Sequence, residues 1–393
     1  MEDTRVASLF DDMPQRIALE LQALVAETRR KYPDVRQSAD HLLAQWQADA
    51  DRTVSELQSC KDPSSHALLQ MIVLACETRS PKVIQLALSL LQSSIPLRIL
   101  PDTSLATVID TLHTLLSAPG RTDVDVQLKI LQIVSSLLVT YANVTSELLS
   151  RALMLCFTLY EHSRVVVVSS TAAAMLRQNV MVVFEKVQSE DQSFDAIQNE
   201  DAAVNAPLPV GTAELPSGPV TLFPCAADVY HLLNDLCALA DGQPAQFLPL
   251  DTLSKPFVLE LLESVLTTQS SLFQRHPELV YILRSAACPF LLKALSKPPA
   301  SFSVYIRVMR LVALLLCEYH KEIVLEVEML LRALLDTLDE KHALWQRVLA
   351  WETMRSLSAD SAFLTFLWDQ FDGQADPCLL YTSDAADERS SVD

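Results

Sequence analysis

Glycine is scarce in this chain: the 393 residues include five, and none precedes Gly120. Average glycine usage is about 7%, so folds that depend on glycine turns, such as a doubly wound nucleotide-binding sheet or a β-sandwich, are disfavoured. Aromatic residues make up 6% of the chain, which offers few stacking platforms for nucleic-acid bases. An all-helical fold needs few residues of either kind, and half of the chain is hydrophobic.

Basic residues are also in deficit, with 30 Lys and Arg against 49 Asp and Glu, a formal charge of −19. Affinity for nucleic acid comes largely from cations that neutralise phosphates, so no nucleic-acid partner is expected. The densest basic cluster is Arg29, Arg30 and Lys31, which we interpret as cations at a helix C-terminus before Pro33. A polybasic membrane contact is therefore poorly supported.

The N-terminus lacks the apolar core of a signal peptide, and no apolar run approaches the roughly 18 residues of a membrane span. The longest runs lie at 180–184 and 311–317. The eight cysteines include no CxxC pair, which is typical of buried free thiols in a cytosolic protein.

Sequence motifs for catalysis are missing as well. There is no Walker loop, GxSxG elbow, HExxH pair or EF-hand loop. Cys317 and His320 have a spacing that could suit zinc, but a core thiol beside a helix-end histidine is the favoured interpretation. Glu260 and Glu263 are expected on the solvent edge of a helix. We therefore predict no catalytic residue, metal or cofactor.

Helix starts are marked by a capping residue and a proline at Asp62-Pro63 and Ser80-Pro81. Helix pairs recur at about 40 residues, near the period of HEAT and armadillo repeats. The sequence predicts an all-α fold, a HEAT/armadillo-like helical repeat array in two modules. The predicted helices are 14–31, 34–59, 64–78, 82–94, 102–117, 124–141, 146–160, 169–187, 223–241, 252–267, 277–296, 301–320, 322–339, 342–357 and 360–370.

Residues 188–221 interrupt the helical pattern with six acids, four prolines and no Lys or Arg. Such a composition predicts a flexible acidic linker, which separates a first module at 1–187 from a second at 222–377. Residues 378–393 resemble the translation of a sequencing-library adaptor more than protein, so we expect them to be an artefact and exclude them from the fold.

The predicted helix 169–187 has an apolar stripe, small residues in its first turn and a polar pair at 177–178. Ala172, Leu176, Val180, Val183 and Val187 share one helical face. A hydroxyl from residues 169–171 is expected to cap its start. The pair at 177–178 is either a solvated edge of this core helix or a polar contact with a partner.

Several segments resemble the N-terminal region of the large Arf guanine-nucleotide exchange factors. The first module is similar to the family's dimerisation and cyclophilin-binding domain, and the second to its region of homology upstream of the Sec-seven domain. The segments that carry the resemblance are ALVAETRRKYPDVRQSAD (23–40), ETRSPKVIQLALSLLQ (77–92), LKILQIVSSLLV (128–139), LSRALMLCFTLY (149–160), STAAAMLRQNVMVVFEKV (170–187), PCAADVYHLLNDLC (224–237), FVLELLESVL (257–266), CPFLLKAL (288–295) and VMRLVALLL (308–316).

The resemblance implies which positions matter. The family pattern TAAA…RQ…VFE marks six residues as structural or partner-binding candidates without a catalytic role: Thr171, Ala172, Arg177, Gln178, Phe184 and Glu185. Residues 370–374, Gln-Phe-Asp-Gly-Gln, are at most a remnant of the Asn-Tyr-Asp-Cys-Asp box of exchange-active relatives, and the exchange domain itself is absent from this chain.

The resemblance further implies a non-enzymatic scaffold of Golgi-to-endosome trafficking that forms a homodimer and docks an Arf-like small GTPase and a Dopey-type protein. Such a scaffold would be cytoplasmic and peripherally associated with the trans-Golgi network and endosomes, with indirect membrane contact. Two alternatives stay open: the autoregulatory N-terminal half of an active exchange factor, and a HEAT-type cargo adaptor of the nuclear-transport kind.

Overall fold

A computed structural model describes residues 13–48, 63–117, 123–199, 208–299 and 301–372. The C-terminal part of the predicted helix 34–59 and the adaptor-like segment 378–393 lie outside the described residues. The chain divides into two compact units, Met1–Ala206 (unit 1) and Pro207–Asp393 (unit 2). The prediction of an all-α fold is confirmed for both.

The described part of unit 1 is helical. A 3₁₀ turn at Asp102–Ser104 leads into α5. The helices are α1 (Met13–Thr28), α2 (Pro33–Ala48), α3 (Pro63–Glu77), α4 (Pro81–Ser94), α5 (Leu105–Ser117), α6 (Val124–Thr140), α7 (Ser146–His162) and α8 (Val166–Asn199).

Two layers of helices form unit 1. Helices α1, α4, α6 and α8 pack side by side in one layer, and α2, α3, α5 and α7 form the other. Hydrogen bonds between neighbours in the first of these layers join residues about one repeat apart. Lys129 Nζ donates to Ser89 Oγ, 40 residues away, and Lys186 Nζ donates to the Tyr141 carbonyl, 45 residues away. This spacing is that of a stacked array of helix pairs.

Unit 2 begins with an antiparallel hairpin and continues as helices. The hairpin pairs β1 (Gly211–Leu215) with β2 (Gly218–Leu222). The helices are α9 (Pro224–Asp241), α10 (Lys255–Thr268), α11 (Ser270–Arg275), α12 (Pro277–Ile282), α13 (Cys288–Ser296), α14 (Phe302–Glu318), α15 (Val324–Asp336), α16 (Leu344–Ser358) and α17 (Ser361–Leu367), with π-helical turns at Leu283–Ala287 and Trp368–Asp372.

Unit 2 is also layered. Helices α10, α14 and α16 pack in a row, while α13 packs on α15, and α9 packs on both α10 and α12. The apolar side of α10 lies in the core of unit 2, since Val258, Leu261, Leu262 and Leu266 are all buried.

Over residues 188–199 and 208–221 the structure differs from the predicted flexible linker, and residues 200–207 of that segment lie outside the described residues. Helix α8 continues to Asn199, because its last twelve residues, QSEDQSFDAIQN, contain no proline or glycine to end it. The prolines and glycines that follow build the hairpin instead. Pro216 and Ser217 form its two-residue loop, and Gly218 adopts a φ of 122° that other residues avoid. Buried Ala213 and Leu222 anchor the hairpin on unit 2.

The start of α8 also differs from the prediction, because the helix begins at Val166 rather than near residue 169. The hydroxyls expected to cap it therefore lie inside the helix. Ser170 and Thr171 both donate to the Val167 carbonyl, Thr171 at 2.7 Å. Residues 166–168, which the predicted bounds leave outside the helix, form its first turn.

Two helical stretches are long and apolar enough to cross a membrane by length and composition, Val166–Phe194 and Pro277–Ser296, contrary to the sequence expectation. Each is packed within its own unit: α8 lies against α6 and α7, and α12 and α13 lie against α9. Core helices of this kind meet the same criteria as membrane spans, so the finding is weak evidence for a membrane.

Candidate functional site

Helix α8 carries all the candidate residues and presents two different faces. Its inner face packs on α6 and α7, and the predicted apolar stripe is confirmed. The fully or almost fully buried members of that stripe are Ala172, Leu176, Val180, Val183 and Val187.

The structure does not bring the six candidate residues onto one surface. Ala172 and Phe184 are completely buried in the core of unit 1. Gln178 and Glu185 are exposed on the opposite side of α8. Thr171 and Arg177 are half-buried between them, and Arg177 engages in interactions within the chain. The family pattern therefore mixes packing positions with surface positions.

Asn179 is the buried polar residue of this helix that the sequence analysis missed. Its side chain is completely buried, and its Oδ1 accepts a 2.7 Å hydrogen bond from Ser135 Oγ of α6. Its Nδ2 donates to Cys156 Sγ of α7 at 3.6 Å. One amide thus joins three helices. A polar residue directly beside Val180 of the apolar stripe is the signal in the sequence that could have indicated it.

Cys156 lies next to this amide and is completely buried. Burial raises the pKa of the Cys156 thiol to about 12, an effect only partly offset by the hydrogen bond from Asn179. Burial likewise raises the pKa of Cys76, Cys237 and Cys288 to about 12. Thiols held in the protonated form are poor nucleophiles, so these positions are structural.

The outer face of α8 is the candidate docking surface of unit 1. It begins with two exposed valines, Val166 at 78% and Val167 at 59% exposure, and continues through Gln178 and Glu185. Exposed apolar side chains can anchor a partner protein, and the polar groups that follow them along the helix can contact the same partner.

A second exposed stripe lies on α16 in unit 2. Leu344, Val348 and Trp351 follow each other at helical spacing on the side of α16 opposite the buried Ala350 and Leu357. The two tryptophans of this helix differ in exposure. Trp345 does pack, edge-on against Tyr305 with ring centroids 5.3 Å apart, whereas Trp351 is 61% exposed.

The residues considered for chemistry serve packing and pairing between helices. Glu260 accepts from Arg307 at 2.9 Å, and Glu263 pairs with the same guanidinium at 3.6 Å, so both glutamates tie α10 to α14 rather than lie on a solvent edge. His320 is buried, with its ring 4.5 Å from Phe366. Within the described ranges, no group of three potential metal ligands occurs.

Comparisons with known proteins agree with the two-unit architecture. Residues 10–191 match the dimerisation and cyclophilin-binding domain of the Mon2/Sec7/BIG1-like proteins, and residues 225–377 match the HUS domain of the same group. The chain is 30% identical over 390 residues to Protein MON2 homolog of Homo sapiens, and 30% identical over 385 residues to that of Xenopus laevis. It is 26% identical over 384 residues to Protein MON2 of Saccharomyces cerevisiae.

These alignments cover 95%, 93% and 93% of this chain but 22%, 21% and 22% of the respective relatives. The chain thus spans about a fifth of the length of these curated relatives. The two matched domains coincide with the two compact units, and each unit is helical as the resemblance implied. The chain belongs to the Mon2/Sec7/BIG1-like family, of which it carries the dimerisation and cyclophilin-binding domain followed by the HUS domain.

Proposed function

We propose that this chain is part of a non-enzymatic scaffold for vesicle trafficking between the Golgi and endosomes, which works by self-association and by docking partner proteins. Its partners are a second copy of the chain, an Arf-like small GTPase and a Dopey-type trafficking protein. It is cytoplasmic and reaches the trans-Golgi network and endosomes peripherally, through those partners.

The outer face of α8 is the observation that carries this proposal. This helix is 34 residues long, its inner face is locked to α6 and α7, and its outer face offers exposed valines and polar groups on a rigid support. Rigid helical arrays bind partners with little loss of conformational entropy. The family match adds that unit 1 resembles a dimerisation and cyclophilin-binding domain.

The candidate docking residues are tested by binding to a purified Arf-like GTPase loaded with a non-hydrolysable GTP analogue. Reversing one charge with Arg177→Glu is expected to weaken binding about tenfold, or about 1.4 kcal/mol, and this loss of affinity is expected to exceed the loss of thermal stability, since half-buried Arg177 also engages in interactions within the chain. Lys82→Glu, an exposed charge reversal on α4 of the same unit, is the matched control and leaves affinity unchanged.

Two results would contradict this assignment. Unchanged affinity in Arg177→Glu removes Arg177 from the interface, and a parallel loss of stability and affinity assigns Arg177 to the core. The non-enzymatic character is tested separately, by adding the chain to the GTPase carrying a fluorescent GDP analogue. We expect no change in the nucleotide release rate; faster release would make the chain an exchange factor.

A further inference from the structure

Two turns of unit 1 concentrate positive charge on an otherwise acidic chain. Residues 29–32 connect α1 to α2, and residues 78–80 connect α3 to α4. Their sequences, Arg-Arg-Lys-Tyr and Thr-Arg-Ser, contain four cations and no acid, whereas the whole chain has 30 cations and 49 acids. Cations at a helix C-terminus account for the first turn, as interpreted from the sequence, but not for the presence of both turns at one place in the fold.

Two hydrogen bonds bring these turns together. Tyr32 Oη donates to the Thr78 carbonyl at 3.3 Å, which joins the turns directly. Ser93 Oγ near the end of α4 donates to Glu20 Oε1 in the middle of α1 at 3.1 Å. The C-terminal end of α1 therefore lies beside the start of α4, and the four cations share one edge of unit 1.

A pocket of about 370 Å³ opens at this edge, beside the end of α1 and the first turns of α2. Asp40 is the acid among its lining residues and pairs with Arg36 Nε at 3.3 Å. Among the described residues, no carboxylate pairs with Arg29 or Arg30, and both side chains are exposed. The pocket therefore has a net positive charge. Its lining residues are Arg29, Arg30, Pro33, Arg36, Gln37 and Asp40.

Arg79 supplies the remaining cation from a strained backbone position. Its φ is 56°, in the left-handed region that glycine adopts without a clash of its Cβ atom. The side chain is exposed and forms no ion pair with any described residue, so no such pair within the fold compensates for the strain. Strain that is retained in this way points to a functional side chain.

We propose that this basic edge, defined by Arg29, Arg30, Lys31, Arg36 and Arg79, binds an acidic peptide segment of a partner protein. Carboxylate side chains of the peptide are directed at the guanidinium groups in the pocket and at the one beside it. The planar guanidinium fork matches a carboxylate through two parallel N–H···O bonds. Cations without a counter-ion on the chain itself favour an anionic partner by charge complementarity.

An anionic membrane is the contrasting occupant. A flat membrane would also meet the exposed acids that flank the turns, which are Glu27, Asp34 and Glu77. Neither turn carries a large exposed apolar side chain that could insert into lipid. A peptide can enter the pocket while it avoids the flanking acids, so the shape and the charge pattern favour a peptide.

The probe is a rhodamine-labelled peptide, Gly-Glu-Asp-Glu-Gly, compared with Gly-Gln-Asn-Gln-Gly, which has the same shape and no side-chain charge. Binding to the full chain is followed by fluorescence anisotropy. We expect saturable binding of the acidic peptide, about tenfold tighter than that of the amide peptide. This preference should decrease as the ionic strength rises, because salt screens exposed charges.

Two variants and one control locate the binding site. Arg30→Glu is expected to weaken binding of the acidic peptide about fivefold with an unchanged melting temperature. Arg79→Gly is expected to weaken it about threefold and to raise the melting temperature, because glycine adopts the positive φ without strain. A purely structural role of Arg79 would not make affinity and stability change in opposite directions. Lys297→Glu reverses an exposed cation at the end of α13 in unit 2 and should leave affinity intact.

Four outcomes overturn the proposal: equal binding of the two peptides; no binding of either peptide; unchanged affinity in both Arg30→Glu and Arg79→Gly; and binding to vesicles of equimolar phosphatidylcholine and phosphatidylserine in preference to the acidic peptide. The basic edge is distinct from the outer face of α8. Arg177→Glu should leave binding of the acidic peptide unchanged, so failure of this proposal is distinguishable from failure of the α8 docking surface.

Discussion

Replacing Asn179 with leucine is the perturbation that most directly tests how the first unit is held together. The substitution keeps the γ-branched shape of the side chain but removes the acceptor of the 2.7 Å hydrogen bond from Ser135 Oγ. Ser135 is 9% exposed. The remaining acceptor, Met175 Sδ at 3.3 Å, is weak. A buried donor left unpaired costs about 1–3 kcal/mol, so we expect Asn179→Leu to lower the unfolding free energy of unit 1 by about 2 kcal/mol.

A double-mutant cycle separates this hydrogen bond from packing. Adding Ser135→Ala to Asn179→Leu removes the unpaired hydroxyl and is expected to restore about 1 kcal/mol. The exposed neighbour substitution Gln178→Leu is the control and should change stability by less than about 0.5 kcal/mol.

The assay is a urea titration with pulsed thiol labelling, in which mass spectrometry reports the labelled fraction of Cys156. This thiol is completely buried and lies in unit 1, so its labelling follows the unfolding of that unit without interference from unit 2. The reasoning is refuted if Asn179→Leu is as stable as the parent chain, or if Ser135→Ala gives no recovery in its presence.

Three further outcomes are expected. Burial raises the pKa of the Cys156 thiol from 9.0 to about 12, so the folded state keeps a proton that the unfolded chain loses above pH 9. The stabilisation that this proton contributes is complete below pH 9. The free energy of unfolding then falls by up to about 1.4 kcal/mol per pH unit as the pH rises toward 12. Cys156→Ser should flatten that slope in urea titrations at several alkaline pH values, and an unchanged slope would contradict the assignment. Arg307→Gln should lower the stability of unit 2 by about 1 kcal/mol, because its guanidinium joins α10 to α14 through Glu260 and Glu263, whereas Arg355→Gln, in a solvent-exposed pair, should have no measurable effect. Limited proteolysis should spare residues 188–199 and 211–222, which form helix and hairpin; early cleavage inside either range would restore the linker interpretation.

Local signals made most of the helices predictable. Pro63, Pro81 and Pro277 begin helices where the sequence placed them, because proline fixes φ and needs no amide partner in the first turn. The 40-residue recurrence of apolar faces predicted the layered array, since a helix that is apolar on two sides requires two neighbours.

Features that depend on tertiary contacts were not predictable in the same way. Composition alone marked 188–221 as unstructured, yet the segment holds the end of α8 and a hairpin stabilised by buried Ala213 and Leu222. Burial of Asn179 depends on Ser135 and Cys156, which are 44 and 23 residues away.

Self-association is the central claim of the proposed scaffold, and a direct mass measurement tests it. Sedimentation equilibrium of the whole chain, at several concentrations across the micromolar range, reports the mass in solution. The account predicts convergence on twice the 43.6 kDa mass of one chain as concentration rises. A mass of 43.6 kDa at every concentration, with both units folded, would contradict it.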